Sequence, residues 1–267
     1  MRARAVYRKL TGRKIPFDPC ELSTPRIHQA VLEAIAASGA RPSGSHLDIG
    51  SGGGQLLRLI GARYPVKSFA CDYTDQLMAL AGQEVQLADL NREPLPYASN
   101  QFSLVTCIET IEHIENFRGI VREIHRVLQP GGLVVISTPN ILNIRSRLRF
   151  FSSGFYNLFG PLSTEEGPNH SPLGHITPVN WFYLAHALMN SGFENLQVSV
   201  DKYQRRSVPA YALLAWPIRL MSRAGYRRDL KKYRSLSEKN SWSVRMMNSR
   251  DLLLGRTLIV TATKLRE

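Results

Sequence analysis

Cysteines, acidic residues and long apolar runs are all scarce in this 267-residue chain. The three cysteines, Cys20, Cys71 and Cys107, are odd in number and lack metal-type spacing. That argues against a disulfide framework or a cysteine-based zinc site and points to a reducing, cytoplasmic setting. Cys71 and Cys107 sit in apolar runs and read as small core residues, not nucleophiles. No stretch approaches the roughly 20 apolar residues of a membrane-spanning helix, and the basic segment from Met1 to Leu10 leads into no apolar signal core. A soluble or peripherally attached protein is expected.

Acidic residues number 21 against 34 Lys and Arg, for a net charge of +13. The imbalance is local, because residues 201–250 hold 13 Lys and Arg against three acidic residues. Such a block attracts phosphate, whether on nucleic acid or on an anionic lipid surface. A solvated, solubilising face is the plainer alternative.

The most informative segment that is present runs His46-Leu47-Asp48-Ile49-Gly50-Ser51-Gly52-Gly53-Gly54. A strand that breaks into glycines before a helix lets a ligand approach bare backbone at the carboxyl edge of a sheet. Around it, strand and helix patterns alternate. Thr24-Pro25 opens a helix that continues to Gly39, and Gln55 starts another. Strands are expected at Ser68–Cys71, Val85–Ala88, Phe102–Ile108 and Leu133–Ser137, with helices at Asp75–Ala81 and Asn116–Leu128. Pro130-Gly131-Gly132 is expected to separate the last helix from its strand. This alternation predicts a doubly wound α/β core with a mainly parallel sheet and helices on both faces. After Pro139 the rhythm lapses for about 38 residues, with one basic helix candidate at Ile144–Phe151. A helix at Val179–Met189 and a strand at Asn195–Val200 follow, then the basic insert, then a last strand at Thr257–Thr263. No internal repeat or clean linker divides the chain, so a single domain over 1–267 is expected, with 140–178 as an active-site loop or lid and 202–255 as the insert.

A dinucleotide-binding turn requires G-x-G-x-x-G, yet Gln55 stands where the third glycine should fall. With G-x-G-x-G, Asp48 two residues before the first glycine and Asp72 closing the next strand, the chain resembles the class I S-adenosylmethionine (SAM)-dependent methyltransferases. The turn Leu128-Gln129-Pro130-Gly131-Gly132 adds to the likeness, which spans about Leu47 to Val200. The resemblance implies a Rossmann-like seven-stranded sheet whose last strand is antiparallel. It also implies a SAM site built from Asp48, Gly50, Ser51, Gly52 and Gly54, with Asp72 gripping the ribose hydroxyls beside Tyr73. Asp89 and Leu90 would meet the adenine, and Ile108 and Glu109 would face the methionine portion. Each aspartate could instead be an ordinary turn former.

Ile108-Glu109-Thr110-Ile111-Glu112-His113-Ile114 and Ser137-Thr138-Pro139-Asn140 resemble the ubiquinone-type O-methyltransferases and bacterial methyltransferases of surface-glycan gene clusters. The segment from Asn140 to Phe150 and His175-Ile176-Thr177-Pro178 strengthen the glycan comparison. A glycan or related membrane-associated hydroxyl is therefore the first expectation for the acceptor. A quinone-type or other small molecule comes second and RNA third, and a non-catalytic binding protein is the reading from a different class. Methyl transfer from a sulfonium asks the enzyme to align the acceptor and take its proton. His113 is the candidate base, with Glu109, Glu112 and His175 beside it. If residues 109–113 form one helical turn, Glu109, Glu112 and His113 share a face. With His170 or His175 they would then hold Mg²⁺, Mn²⁺ or Zn²⁺, as a similar pattern does in the small-RNA 2′-O-methyltransferases it resembles.

In the insert, the apolar stretch Tyr211–Met221 is flanked by Arg205, Arg206, Arg219, Arg223, Arg227 and Arg228. That composition suits an acceptor-side cap that docks on an anionic membrane, or alternatively a helix that only covers the core. Pro217 is expected to interrupt any long helix. RNA binding through Tyr203, Tyr226, Tyr233 and Trp242 ranks lower.

Overall fold

A computed structural model describes residues 23–162, 174–233 and 238–266. His170 and Cys20 lie outside the described residues. The chain forms α1 (Pro25–Ala37), β1 (Gly44–Ile49), α2 (Gln55–Arg63), β2 (Val66–Asp72), β3 (Val85–Leu87) and β4 (Phe102–Ile108). A 3-10 turn at Ile111–His113 leads to α3 (Phe117–Val127), β5 (Leu128–Pro139) and α4 (Ile144–Ser153). Then come α5 (Trp181–Asn190), β6 (Phe193–Val200), α6 (Val208–Tyr233), α7 (Glu238–Met246), α8 (Arg250–Leu254) and β7 (Thr257–Lys264).

The seven strands form one sheet in the order β3-β2-β1-β4-β5-β7-β6. Pairings from β3 through β5 are parallel, whereas β7 runs antiparallel to both β5 and β6. The antiparallel last strand expected from the family resemblance is present. The central strands are buried on both faces, so consecutive side chains enter opposite helical layers. Leu104 and Val135 face a core shared with Ile27, Val31 and Ile35 of α1 and Ile60 of α2. Val105, Cys107, Val134 and Ile136 face the opposite core, with Ile120 and Ile124 of α3 and Leu184 and Leu188 of α5. Cys71 and Cys107 are buried with thiols pushed up by burial, as core residues should be.

Caps set several boundaries. The side chains of Asn116, Asn143 and Asn180 accept hydrogen bonds from the N–H groups of Gly119, Ser146 and Tyr183 at the starts of α3, α4 and α5. Thr24 occupies the cap position of α1 without making a side-chain cap bond, so the fixed φ of Pro25 starts that helix.

Three expectations are corrected. Asp75–Ala81 is irregular, because the Ala79 N–H donates to the Gly53 carbonyl (3.3 Å) and so binds the glycine turn instead of its own helical partner. Pro130-Gly131-Gly132 does not divide helix from strand. β5 already starts at Leu128, opposite Phe102, and the register then jumps so that Leu133 faces Leu104, leaving the proline and glycines in a bulge where no ladder bond is needed. Helix α6 also continues through Pro217. Leu213, whose carbonyl loses its helical partner there, is 74% exposed, so water can solvate that turn.

Hydrogen bonds from two buried side chains help tie the insert to the core. Asn140, leaving β5, donates to the carbonyls of Leu252 and Gly255 (both 2.9 Å). The Trp181 indole N–H, fully buried in α5, donates to the Ser243 carbonyl of α7 (2.9 Å).

Candidate cofactor and acceptor site

β1, β2, β3 and β4 all end at one edge of the sheet, and a cavity of about 410 Å³ opens there. One end is the glycine turn. The N–H groups of Gly50 and Ser51 donate to the Cys71 carbonyl (2.8 and 3.3 Å), which straps the turn across the end of β2. Gly50 has φ +73°, and a Cβ there would lie 2.1 Å from the Thr110 hydroxyl, so no larger residue fits. The Gly52 N–H donates to Asp72 Oδ2 (2.8 Å) and the Tyr73 N–H to Asp72 Oδ1 (2.7 Å). With the Thr74 N–H also directed at it, the carboxylate as a whole still keeps lone-pair capacity for a ligand. Burial raises the Asp72 carboxyl, and these N–H donors oppose the shift.

Asp48 lies just beneath this turn, almost fully buried. Its Oδ1 accepts a hydrogen bond from the Thr106 hydroxyl (2.6 Å). Because that hydroxyl proton is committed, Thr106 accepts from His46 Nε2 (2.8 Å), and His46 Nδ1 then accepts from Ser68 (3.0 Å). Burial drives His46 down to about 3 and, with the nearby charge of Asp72, lifts Asp48 to about 7.

Along the cavity, Ser51, Tyr73, Asp89, Leu90, Ile108 and Glu109 line the wall as the sequence suggested. Asp89 Oδ1 accepts from the Asn91 N–H (3.0 Å). Of the glycines in the turn, Gly50, Gly52 and Gly53 line the cavity, and Gly54 follows at the start of α2. Gly54 caps α2 at φ +78°, where a Cβ would press on Met78 (2.6 Å), so packing and backbone angle account for it. Ser23, His28, Leu158 and Arg256 also line the cavity. Sequence reasoning missed these four because they come from segments far apart in the chain with no motif around them.

The far end holds Glu112, His113 and His175. The expected helical turn over residues 109–113 is corrected: Glu109 has φ +51°, and the turn begins only at Ile111. That kink sends the Glu109 carboxylate to Ser137, whose hydroxyl donates to it (2.9 Å), and so removes Glu109 from the proposed metal set. Burial lifts Glu109 to about 7, although Ser137 and Arg256 oppose it.

Glu112, His113 and His175 do converge, with one ligand atom from each lying within 4.8 Å of the others. The cause is local. The Glu112 carbonyl accepts from the N–H groups of Ile176 (2.9 Å) and Thr177 (3.0 Å), and the Thr177 hydroxyl donates to the Ile114 carbonyl (2.7 Å). These bonds strap the distant His175 over the 3-10 turn. His113 Nδ1 donates to the Gly174 carbonyl (3.0 Å), so its Nε2 carries the free lone pair. Burial, with His175 adjacent, lowers His113 to about 4, and burial lowers His175 as well.

Glu112 is fully buried, and neither carboxylate oxygen makes a hydrogen bond. The Thr138 hydroxyl approaches it without reaching hydrogen-bonding geometry. Burial and the charge of Glu109 hold the Glu112 carboxyl well above its usual range. His175 Nδ1 is likewise buried without a partner.

Residues 24–198 match the model of a methyltransferase domain family. Over 144 residues the chain is 28% identical to the ubiquinone biosynthesis O-methyltransferase of Pseudomonas putida strain W619, covering 51% of this chain and 60% of that protein. It is 30% identical over 120 residues to the ubiquinone/menaquinone biosynthesis C-methyltransferase of Desulfotalea psychrophila, covering 41% of this chain and 48% of that one. The matched parts thus span about half to three fifths of these relatives. Among solved structures, a SAM-dependent methyltransferase from Archaeoglobus fulgidus superposes with a TM-score of 0.54 at 15% identity, covering 89% of this chain and 94% of that one. Phosphoethanolamine N-methyltransferase 2 of Haemonchus contortus, solved with SAM, superposes with a TM-score of 0.51 at 17% identity, covering 89% and 52%. The family match, with the sheet order and the glycine turn at its switch point, places this chain in the methyltransferase domain family, with the fold of the SAM-dependent methyltransferases.

Proposed function

We propose that the chain transfers the methyl group of SAM to a hydroxyl oxygen, with the acceptor entering at the Glu112, His113 and His175 end of the cavity. One observation carries this reading: a neutral imidazole with a free Nε2 and a buried, unpartnered carboxylate line the cavity at the end away from Asp72. Asp72, whose carboxylate keeps lone-pair capacity beside the glycine turn, suits the ribose hydroxyls; Asp89 and Leu90 suit the adenine, and Ile108 and Glu109 the methionine portion. When bound, SAM supplies an activated methyl on a sulfonium, so its C–S bond breaks as the new C–O bond forms. His113, kept neutral by burial, accepts the hydroxyl proton at Nε2.

A second reading is favoured by the orphaned atoms of Glu112 and His175. A carboxylate and two imidazoles suit Zn²⁺ or Mn²⁺ better than Mg²⁺, and such an ion would lower the acceptor hydroxyl's pKa. Glu112, His113 and His175 would then be ligands, with Glu109 left outside. The names of the relatives support a quinone-type acceptor; the glycan reading rests on sequence likeness alone.

Methyl transfer from labelled SAM to catechol-type quinone precursors and to glycan acceptors tests the reaction. Each assay is run after chelation and again with Zn²⁺, Mn²⁺ or Mg²⁺ restored. Activity that survives chelation and falls at least about 100-fold in His113→Ala identifies His113 as the base. Activity that returns only with metal identifies the cation site. SAM binding without transfer to any hydroxyl acceptor would overturn the O-methylation reading.

A further inference from the structure

The largest exposed apolar side chains cluster on two adjoining helices, and a strongly basic stretch continues the same surface. On α6, Tyr211, Leu214, Ala215 and Ile218 turn inward and share a small core with Ile144 of α4 and Leu253 of α8. The opposite side of α6 carries Leu213 (74% exposed), Trp216 (72%) and Leu220 (52%), spaced at i, i+3 and i+7. Arg223 and Arg227 extend that exposed stripe toward the C-terminal end of the helix, with exposed Arg228 beside it. On α4, Leu148 is exposed and Phe151 is 90% exposed. The loop that follows α4 brings Leu158 into the wall of the cavity.

We infer that the outward face of α4 and α6 docks on an anionic lipid bilayer, with Leu213, Trp216, Leu220 and Phe151 entering the headgroup region and the arginines meeting lipid phosphates. Three occupants compete for such a surface, and the chemistry selects one. A second copy would bring basic residues against basic residues. A nucleic acid would satisfy the arginines but leave exposed leucines without an apolar partner. A bilayer carrying anionic headgroups satisfies both. Among the described residues no helix is long and apolar enough to cross a membrane, so this is attachment in the plane of the surface.

The tryptophans provide the readout. Trp216 is exposed, whereas Trp181 is buried and pairs edge-on with the half-buried Trp242 (5.4 Å). The full chain is mixed, without SAM or acceptor, with vesicles of phosphatidylcholine alone or of phosphatidylcholine with phosphatidylglycerol. Co-sedimentation with the anionic vesicles only, with a blue shift of tryptophan emission that disappears in Trp216→Ser, supports the inference. Leu213→Ser with Leu220→Ser should weaken partitioning about tenfold or more while SAM binding and the melting temperature stay unchanged. Arg223→Glu with Arg227→Glu should also weaken it, and its sensitivity to salt should fall. Sedimentation with neither vesicle would overturn the inference, as would unchanged partitioning in the leucine pair. Retention of an RNA of similar charge density at equal affinity, or a concentration-dependent dimer that buries Trp216, would overturn it in favour of those partners. Because vesicle binding is read without the reaction, its failure is distinguishable from failure of methyl transfer.

Discussion

Asp48 shows how one carboxylate can be both central and hidden. It lies below the glycine turn and is held through Thr106 and His46 by a relay that ends at Ser68. Burial raises its carboxyl from 3.8 to about 7, so the folded chain holds this proton more tightly than the unfolded chain does. Between about pH 4 and pH 7 this group therefore removes stability as pH rises. His46, lowered to about 3, acts in the opposite sense and costs stability as pH falls below its ordinary 6.5. The difference in melting temperature between Asp48→Asn and the parent should grow more positive from about pH 4 to pH 7 and level off above it. A difference that is flat with pH would show that Asp48 ionises like an exposed aspartate. The sequence placed Asp48 in the cofactor motif, but the relay was invisible there. His46, Ser68 and Thr106 sit on three strands and become neighbours only through the register that sets His46 opposite Ser68 and Leu104.

At the scale of elements, local chemistry predicted helices and strands well wherever the chain satisfied its own hydrogen bonds. Helix α5 is such a case: Asn180 accepts from the Tyr183 N–H (3.1 Å), and the apolar spacing after it buries Trp181, Leu184 and Leu188. Asn180→Ala should cost about 1 kcal/mol. For a domain of this size that corresponds to a melting temperature lower by roughly 2 to 4 °C, measurable by thermal denaturation. Local chemistry misled where a distant group intervened. Residues 75–81 have a helical composition, yet Ala79 bonds to Gly53. Residues 109–113 have helical spacing, yet the Glu109 N–H is held by the Ser137 carbonyl (3.2 Å) and the backbone kinks there at φ +51°, which delays the turn to Ile111. The bulge at Pro130 is a similar case, because its form depends on the β4 register that it interrupts.

Across the whole molecule, the site is assembled from the ends of four parallel strands, with a late segment strapped over them and a basic insert rooted beside them. A ligand held by so many separate elements should couple to global stability. SAM at about 100 times its Kd should stabilise the fold by about 2.7 kcal/mol. That is a rise of roughly 5 to 10 °C in melting temperature for a chain of this size. Asp72→Ala should abolish the rise, since Asp72 joins the glycine turn to the start of the next loop. An undiminished rise in that variant would remove Asp72 from the cofactor site.

What the sequence determined by itself was the sheet with its helices, the glycine turn and the acidic strand ends of the donor side. Those signals lie within a few residues of one another and follow from hydrogen bonding and period-two or period-3.6 burial. Only the tertiary structure decided the acceptor side. It turned Glu109 toward Ser137, left the Glu112 carboxylate without a hydrogen-bond partner, and brought His175 onto His113 from more than 60 positions away. It also carried α6 through Pro217, leaving Leu213 and Trp216 on the surface. These outcomes depend on which distant groups satisfy a buried N–H, carbonyl or carboxylate, and sequence spacing carries no record of that choice.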